Sequence, residues 1–404
     1  MADMWNDIRR EFPVLENKAH RHRLIYFDNA AMSQVPLRVI EAVSDHMSQA
    51  NSNAHRGMHY LSTLSTRMVE SARKKMLEFL GADDDYEIVF TSGTTHSVNM
   101  TASCLTPSLS DIGAVTVSRL EHHSNLLPWR RAAVAAGVEI KTVPCPEGEF
   151  DMSALRSMDS GVIAVTSVSN LTGSVFPLKE IGKEAHRKKA LLFIDGAQAA
   201  RHSSNDVKIS GCDFYALSGH KMCGPTGTGI LLGRKDLLRT FDPFMTGGGT
   251  VSEVNENGQT YDDIPYRLEA GTLNIAGIAG LSAAAGFLCD IGRANIEKRE
   301  KELTDLLEER IRCIEGIEIT GKPAVRQGIV SFRAEGINSY DISQFLDRQG
   351  IAVRSGTHCA EPAVRSFGIK DTVRASVAFY NTFEEVDMFA KALRKTINLL
   401  SKYR

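Results

Sequence analysis

The chain reads as an α/β protein with a large domain on a mainly parallel sheet and a smaller α+β domain at the C-terminal end. Three observations predict this. Apolar runs of strand length alternate with amphipathic runs of helix length through the first two-thirds of the 404 residues, the pattern of successive βα units. A long stretch over residues 241–270, rich in Gly, Asp and Asn, then breaks the alternation. Beyond it, a charged helical pattern over 295–314 leads into a second, shorter set of strands and helices.

Taken in order, strands are expected at 87–91, 114–118, 138–144, 162–168, 190–195, 213–217 and 229–233. Helical periodicity falls between them at 68–80, 126–136 and 179–189. The 241–270 stretch reads as an extended loop with some hairpin, reaching toward a partner subunit; long loops of this kind are often functional. Residues 276–288 form an apolar run rich in Gly and Ala. It is shorter than the ~20 residues that span a bilayer and reads as a closely packed helix. In the second unit, strands are expected at 328–334, 351–354 and 373–380, and helices at 342–349 and 384–400. Residues 1–23 are expected to pack on this unit. The domains are therefore drawn as 24–288, and 1–23 with 289–404.

Composition narrows the function. Hydrophobic content of 43% and charged content of 24% are ordinary for a soluble globular protein. A net charge of −2 argues against a nucleic-acid surface. Residues 1–7 lack the basic start and apolar core of a secretory leader, so a cytoplasmic protein without membrane attachment is expected. The seven cysteines are scattered with no Cys-x-x-Cys pair, so no metal site is expected and most should be buried thiols.

Sites in such sheets gather at the carboxyl ends of strands. The run 190–194 ends in Asp195-Gly196-Ala197-Gln198, and the run 213–217 leads into Ser218-Gly219-His220-Lys221. This pairing suits pyridoxal phosphate (PLP), which needs a lysine for a Schiff base and a carboxylate to keep its pyridine nitrogen protonated. Singly, each has a plainer reading, as a surface lysine or a turn-forming aspartate. Thr91-Ser92-Gly93-Thr94-Thr95 ends a strand and opens a helix, which offers free N–H groups to a phosphate or is simply a Ser/Thr cap. Ser218 and His220 would add phosphate contacts. Glu121-His122-His123 follows another strand, where an imidazole can stack on the pyridine or move protons, or lie hydrogen-bonded at the surface. Asn170 and Gln198 can each donate to the ring's phenolic oxygen. Arg374 lies in an apolar strand pattern and needs an anion, either a substrate carboxylate or an internal Asp or Glu. Cys359 sits in Arg354-Ser355-Gly356-Thr357-His358-Cys359-Ala360-Glu361-Pro362, a loop whose His358 and Arg354 would lower its thiol pKa. It is a nucleophile or an ordinary loop thiol.

Seven segments, in order, resemble the PLP-dependent cysteine desulfurases of the class V aminotransferase family. They are Ala54-His55-Arg56-Gly57, Thr94-Thr95, Glu121-His122-His123, Asp195-Gly196-Ala197-Gln198, Ser218 through Gly227, Arg267 through Thr272, and Arg354 through Ala360. The resemblance runs from about residue 10 to the C-terminus. The fifteen-residue interval from Cys359 to Arg374 and the segment 261–270 are more similar to the group II, SUF-type branch. The resemblance implies a fold type I PLP-dependent transferase, a homodimer with its site at the subunit interface. By it, Lys221 forms the Schiff base, Asp195 pairs with the pyridinium, His123 stacks on the ring and Gln198 binds the phenolic oxygen. Thr94, Thr95, Ser218 and His220 hold the phosphate, with Thr272 from the second copy. Asn170 and Arg374 orient the substrate, Arg374 on its carboxylate, and Arg354 and His55 join the substrate-binding set. Catalysis falls to Lys221, His123 and Cys359. The implied reaction converts L-cysteine to L-alanine and passes sulfur as a Cys359 persulfide to an acceptor of the SufE or SufU type for iron–sulfur cluster assembly. One departure is His96, where relatives often carry an acidic residue. A selenocysteine lyase, or another class V aminotransferase or lyase, shares these motifs and stays open on sequence alone.

Overall fold

The computed structural model describes residues 2–202 and 207–403. Its centre is a seven-stranded sheet in the order Tyr86–Thr91, Gly229–Arg234, Phe214–Ser218, Leu191–Asp195, Val162–Thr166, Val115–Ser118, Ile140–Val143. From Phe214–Ser218 to Ile140–Val143 all neighbours are parallel. Gly229–Arg234 runs antiparallel to both of its neighbours. Only ten residues separate it from Ser218, fewer than the dozen or more that a parallel crossover takes.

Burial on both faces explains why these strands read as unbroken apolar runs. Within Leu191–Asp195 the period of two divides the side chains. Leu192 and Ile194 join a core with Ile88, Phe90, Ile163 and Val165. Phe193 joins the opposite core, with Val89, Val117, Trp129 and Phe214. The apolar helix, Ile275–Ile291, packs on Leu37–Gln49 and Tyr60–Leu80. After Gly292 the chain bends by 78° into Arg293–Arg312. Among the described residues no single helix is long and apolar enough to cross a membrane. The 241–270 stretch contains an exposed hairpin, Val251–Asn255 with Gly258–Tyr261.

The second unit holds an antiparallel four-stranded sheet in the order Ile317–Ile319, Ile329–Ala334, Thr372–Ser376, Arg354–Gly356. Two sequence expectations change here. The strand expected at 351–354 is two pieces: Ile351–Ala352 pairs in parallel with Ile25–Tyr26, and Arg354–Gly356 pairs with Thr372–Ser376. The strand expected at 373–380 ends at Ser376, where Asn381 Oδ1 accepts the Ala378 N–H at 2.8 Å and turns the chain. Ile25 and Phe27 pack in the same core as Phe332, Val373 and Phe389, across the boundary drawn at residue 24. The N-terminal helix Ala2–Arg10 is tied to this unit by Arg9, which donates to Glu385 at 2.6 Å and to the Tyr380 carbonyl at 2.8 Å.

Candidate active site

Lys221, Asp195 and Cys359 line one cavity of about 180 Å³, together with Thr94, Thr95, Asn170, Gln198, Ser218, His220, Arg354 and Arg374. The cavity lies at the carboxyl ends of the parallel strands, where open α/β sheets place their ligands. Asp195 is the last residue of its strand, and its Oδ1 accepts the Ala197 N–H at 2.9 Å. Gly196 follows of necessity: a Cβ there would lie 1.9 Å from Cζ of the buried Tyr215 ring. After Phe214–Ser218, one tight turn, Gly219–Lys221, delivers the lysine. The turn is anchored by Ser33, whose N–H and hydroxyl both donate to the His220 carbonyl, at 2.8 and 3.0 Å.

Electrostatics divide the charged groups. Burial pulls the Lys221 ammonium down to about 8 from 10.5, against the attraction of Asp195. Burial raises the Asp195 carboxyl, with Lys221 and the Ala197 N–H opposing. Asp195 is the single acid among the residues lining the cavity, against Lys221, Arg354 and Arg374. Such a cationic, partly desolvated cleft attracts an anionic ligand.

Beside Lys221 two strand ends meet. Gly93 opens the helix Thr94–Leu105 with φ of 141°, and a Cβ there would stand 3.1 Å from Ser218 Oγ. Ser218 Oγ accepts the Thr94 N–H and meets the Thr94 hydroxyl, both at 2.9 Å. Thr95 Oγ1 meets Ser124 Oγ at 2.7 Å. The His220 imidazole is pushed down to about 4, by burial and then by Lys221, so it is a neutral ring.

The histidine pair needs a correction. His122, not His123, lines the cavity. Its Nδ1 accepts the Ser124 N–H at 3.1 Å, and burial followed by the charge of Lys221 pushes the ring down to about 3. A flat neutral imidazole is therefore offered to the cavity by the first His. A tight turn over His123–Asn125 directs the second toward the Cys359 loop. Beneath the pair, Glu121 accepts from Ser118 Oγ, Asn125 Nδ2 at 2.7 Å and the Thr166 N–H at 3.1 Å. Burial raises its carboxyl to about 8 against those hydrogen bonds.

Arg374 is 2% exposed and donates to the Asn170 carbonyl at 2.9 Å and to Asp28 at 3.2 Å. The internal acid expected of this arginine is present in Asp28, and among the described residues Nε is buried without a partner. Asn170 Nδ2 donates to the His358 carbonyl at 2.7 Å, and Asn170 Oδ1 is buried without a partner. Gln198 Nε2 donates to the Ala30 carbonyl at 2.7 Å. Cys359 is exposed on its loop. His358 does not supply the positive charge expected beside the thiol. It is 4% exposed, and burial, with Arg374 and Arg354, pushes it down to about 2. Arg354 is the exposed cation on this wall.

His55 and Thr272 stand apart, on a separate cleft of about 500 Å³ with Tyr266 and Glu269. There His55 Nε2 pairs with Glu70 at 2.8 Å. Within one chain neither reaches the cavity of Lys221. Sequence reasoning missed Asp28, Thr166 and Ser124, short polar residues with no spacing signal of their own, and gave Glu121 no role within its motif.

These residues fit pyridoxal phosphate. A lysine of lowered pKa faces a single buried carboxylate, a glycine-opened helix start lies beside Ser218, and buried Asn170 Oδ1 and Arg374 Nε have no partner among the described residues.

Comparison with known proteins points the same way. The aminotransferase class-V family matches residues 25–389. A probable cysteine desulfurase of Halalkalibacterium halodurans is 41% identical over 396 residues, covering 97% of each chain. A cysteine desulfurase of Synechococcus elongatus is 39% identical over 96% of this chain and 63% of its own. Among solved structures, apo cysteine desulfurase from Thermococcus onnurineus superposes with a TM-score of 0.92 at 36% identity, over 97% of this chain and 98% of that one. An Escherichia coli cysteine desulfurase in its S-sulfonic acid form gives 0.89 at 35%, over 98% of both. With a site cavity framed by Lys221, Asp195 and Cys359, and relatives matched along nearly its whole length, the chain belongs to the class-V aminotransferase family, among the cysteine desulfurases.

Proposed function

We propose that this chain removes sulfur from L-cysteine with bound pyridoxal phosphate, leaving L-alanine and a persulfide on Cys359. The observation that carries the reading is that Lys221, Asp195 and Cys359, from three distant segments, line one small cationic cavity. Bound there, the cofactor supplies an aldehyde that captures amines and a ring that takes up the electron pair of the substrate's Cα–H bond.

The residues do the rest. Asp195 and the neutral rings of His122 and His220 surround the cofactor, with Thr94, Thr95 and Ser218 at its phosphate. Arg374 and Asn170 hold the substrate carboxylate, and a guanidinium suits that role through its paired N–H groups. Lys221 would take the Cα proton; its pKa of about 8 suits a base working near neutrality. The Cys359 sulfur then bonds to the substrate sulfur as the substrate's Cβ–S bond breaks. L-cysteine and the Cys359 thiol become L-alanine and the Cys359 persulfide, with no outside oxidant or reductant. A second copy of the chain would bring Thr272 and His55 to the site. The sulfur would pass to an acceptor of the SufE or SufU type, as in the SUF-type branch.

The test is a single turnover of PLP-loaded protein with L-cysteine, followed by intact mass without reductant and by peptide mapping. A gain of one sulfur on Cys359, with matching alanine, is expected. Alanine without that gain would remove Cys359 from the sulfur path.

A second expectation concerns Lys221 alone. Only the neutral amine captures an aldehyde, and burial lowers this amine to about 8. Cofactor uptake by cofactor-free protein should therefore speed up as pH rises through about 8 and level off above it. A rate still climbing beyond pH about 10, where an unperturbed lysine titrates, would contradict the buried environment of the amine.

A further inference from the structure

His123, absent from the cavity lining, grips the nucleophile's loop at Cys359 and two residues beyond it. Its backbone N–H donates to the Cys359 carbonyl at 2.7 Å. Its ring Nε2 receives the Glu361 N–H at 3.1 Å. A backbone N–H can only donate, so Nε2 is the unprotonated nitrogen. The gripped segment is strained: His358 and Cys359 have φ of 54° and 56°. Such consecutive left-handed residues without glycine persist only where their surroundings fix them. The entrance to the segment is fixed independently. Asn170 Nδ2 holds the His358 carbonyl at 2.7 Å, and His358 Nε2 meets Thr372 Oγ1 at 2.8 Å. The exit, at Glu361, is held by the His123 ring.

We infer that His123 is a positioning residue for the Cys359 thiol: its side chain fixes the exit of a strained loop whose Cys359 carbonyl its own backbone holds. The role rests on the reading of Cys359 as nucleophile. It differs from contact with the cofactor, which falls to His122 on the cavity wall. Displacing a reacting group by about 1 Å can cost ~100-fold in rate, so an anchor one residue beyond the neighbour of the thiol is enough to matter.

The test compares PLP-loaded wild type, His123→Ala, His123→Gln and Cys359→Ser. In His123→Ala, kcat should fall about 10- to 100-fold, while KM for L-cysteine stays within about twofold and the cofactor's absorbance spectrum is unchanged. The rate of Cys359 alkylation by iodoacetamide, read by peptide mass, should shift with kcat. His123→Gln, whose Oε1 can accept the Glu361 N–H, should recover most of kcat. Wild-type kcat and alkylation in His123→Ala, with Cys359→Ser inactive, would overturn the positioning role alone. A changed absorbance spectrum would place His123 on the cofactor and overturn it too. Alanine formation by Cys359→Ser would sink the nucleophile reading and the positioning role together.

Discussion

Cys359→Ala is expected to cut alanine formation from L-cysteine at least about a thousandfold, the scale of losing a catalytic nucleophile, while the protein still takes up pyridoxal phosphate on Lys221. The split follows from geometry. Lys221 is placed by the turn Gly219–Lys221 and the Ser33 anchor, and Asp195 by its own strand end, while the Cys359 loop is held by Asn170 and His123. The thiol is exposed, so its removal opens no cavity and stability should change by less than about 0.5 kcal/mol. The variant separates cofactor chemistry from sulfur chemistry in one protein. Absorbance of the loaded variant with and without L-cysteine checks the first, and single-turnover alanine checks the second. Alanine at the wild-type rate would assign the sulfur step to another group.

Arg201→Met is expected to cost about 3–5 kcal/mol, the scale of breaking a buried ion pair from one side. Arg201 and Glu300 are 2% and 0% exposed, and Arg201 Nε donates to Glu300 Oε1 at 2.8 Å. The pair joins three parts of the fold. Arg201 NH1 donates to the Lys221 carbonyl at 3.0 Å, and Glu300, on Arg293–Arg312, accepts the Phe379 N–H at 3.2 Å. His202 lies 3.5 Å from the other Glu300 oxygen, and in the intact protein burial, then the charge of Arg201, holds it well below its usual range. Arg201→Met/Glu300→Gln removes both charges and should regain most of the loss. Denaturant unfolding of the two variants checks this. A loss under about 1 kcal/mol for the single variant would show that water or a neighbour already compensates Glu300.

The parts of the site that could be read from sequence are those where a motif sits on a regular element. Lys221, Asp195 and Ser218 follow strands whose apolar runs fix their ends, and the Gly93 turn announces itself by composition. The order of two adjacent histidines could not be read, because a single tight turn decides which of His122 and His123 faces the cavity. Nor could the Arg201–Glu300 pair, whose members stand 99 residues apart with no periodic relation. The reversed strand Gly229–Arg234 was readable in principle. An apolar run carries no direction, but the short link from Ser218 did.

That reversed strand also sets the order in which the molecule can become competent. Gly229 pairs with Thr91 on one side and with Ser218 on the other, so it wedges together the two strand ends that border the cavity of Lys221. Thr94 and Ser218 touch across 124 residues of chain, and long-range pairings of this kind form late. During synthesis, the Thr94–Ser218 contact cannot be completed before residue 218 is made, nor the cavity wall before Arg374 has followed. A ligand that binds only the finished fold stabilises only that fold. A ligand of this cavity would thus reward completion of the fold.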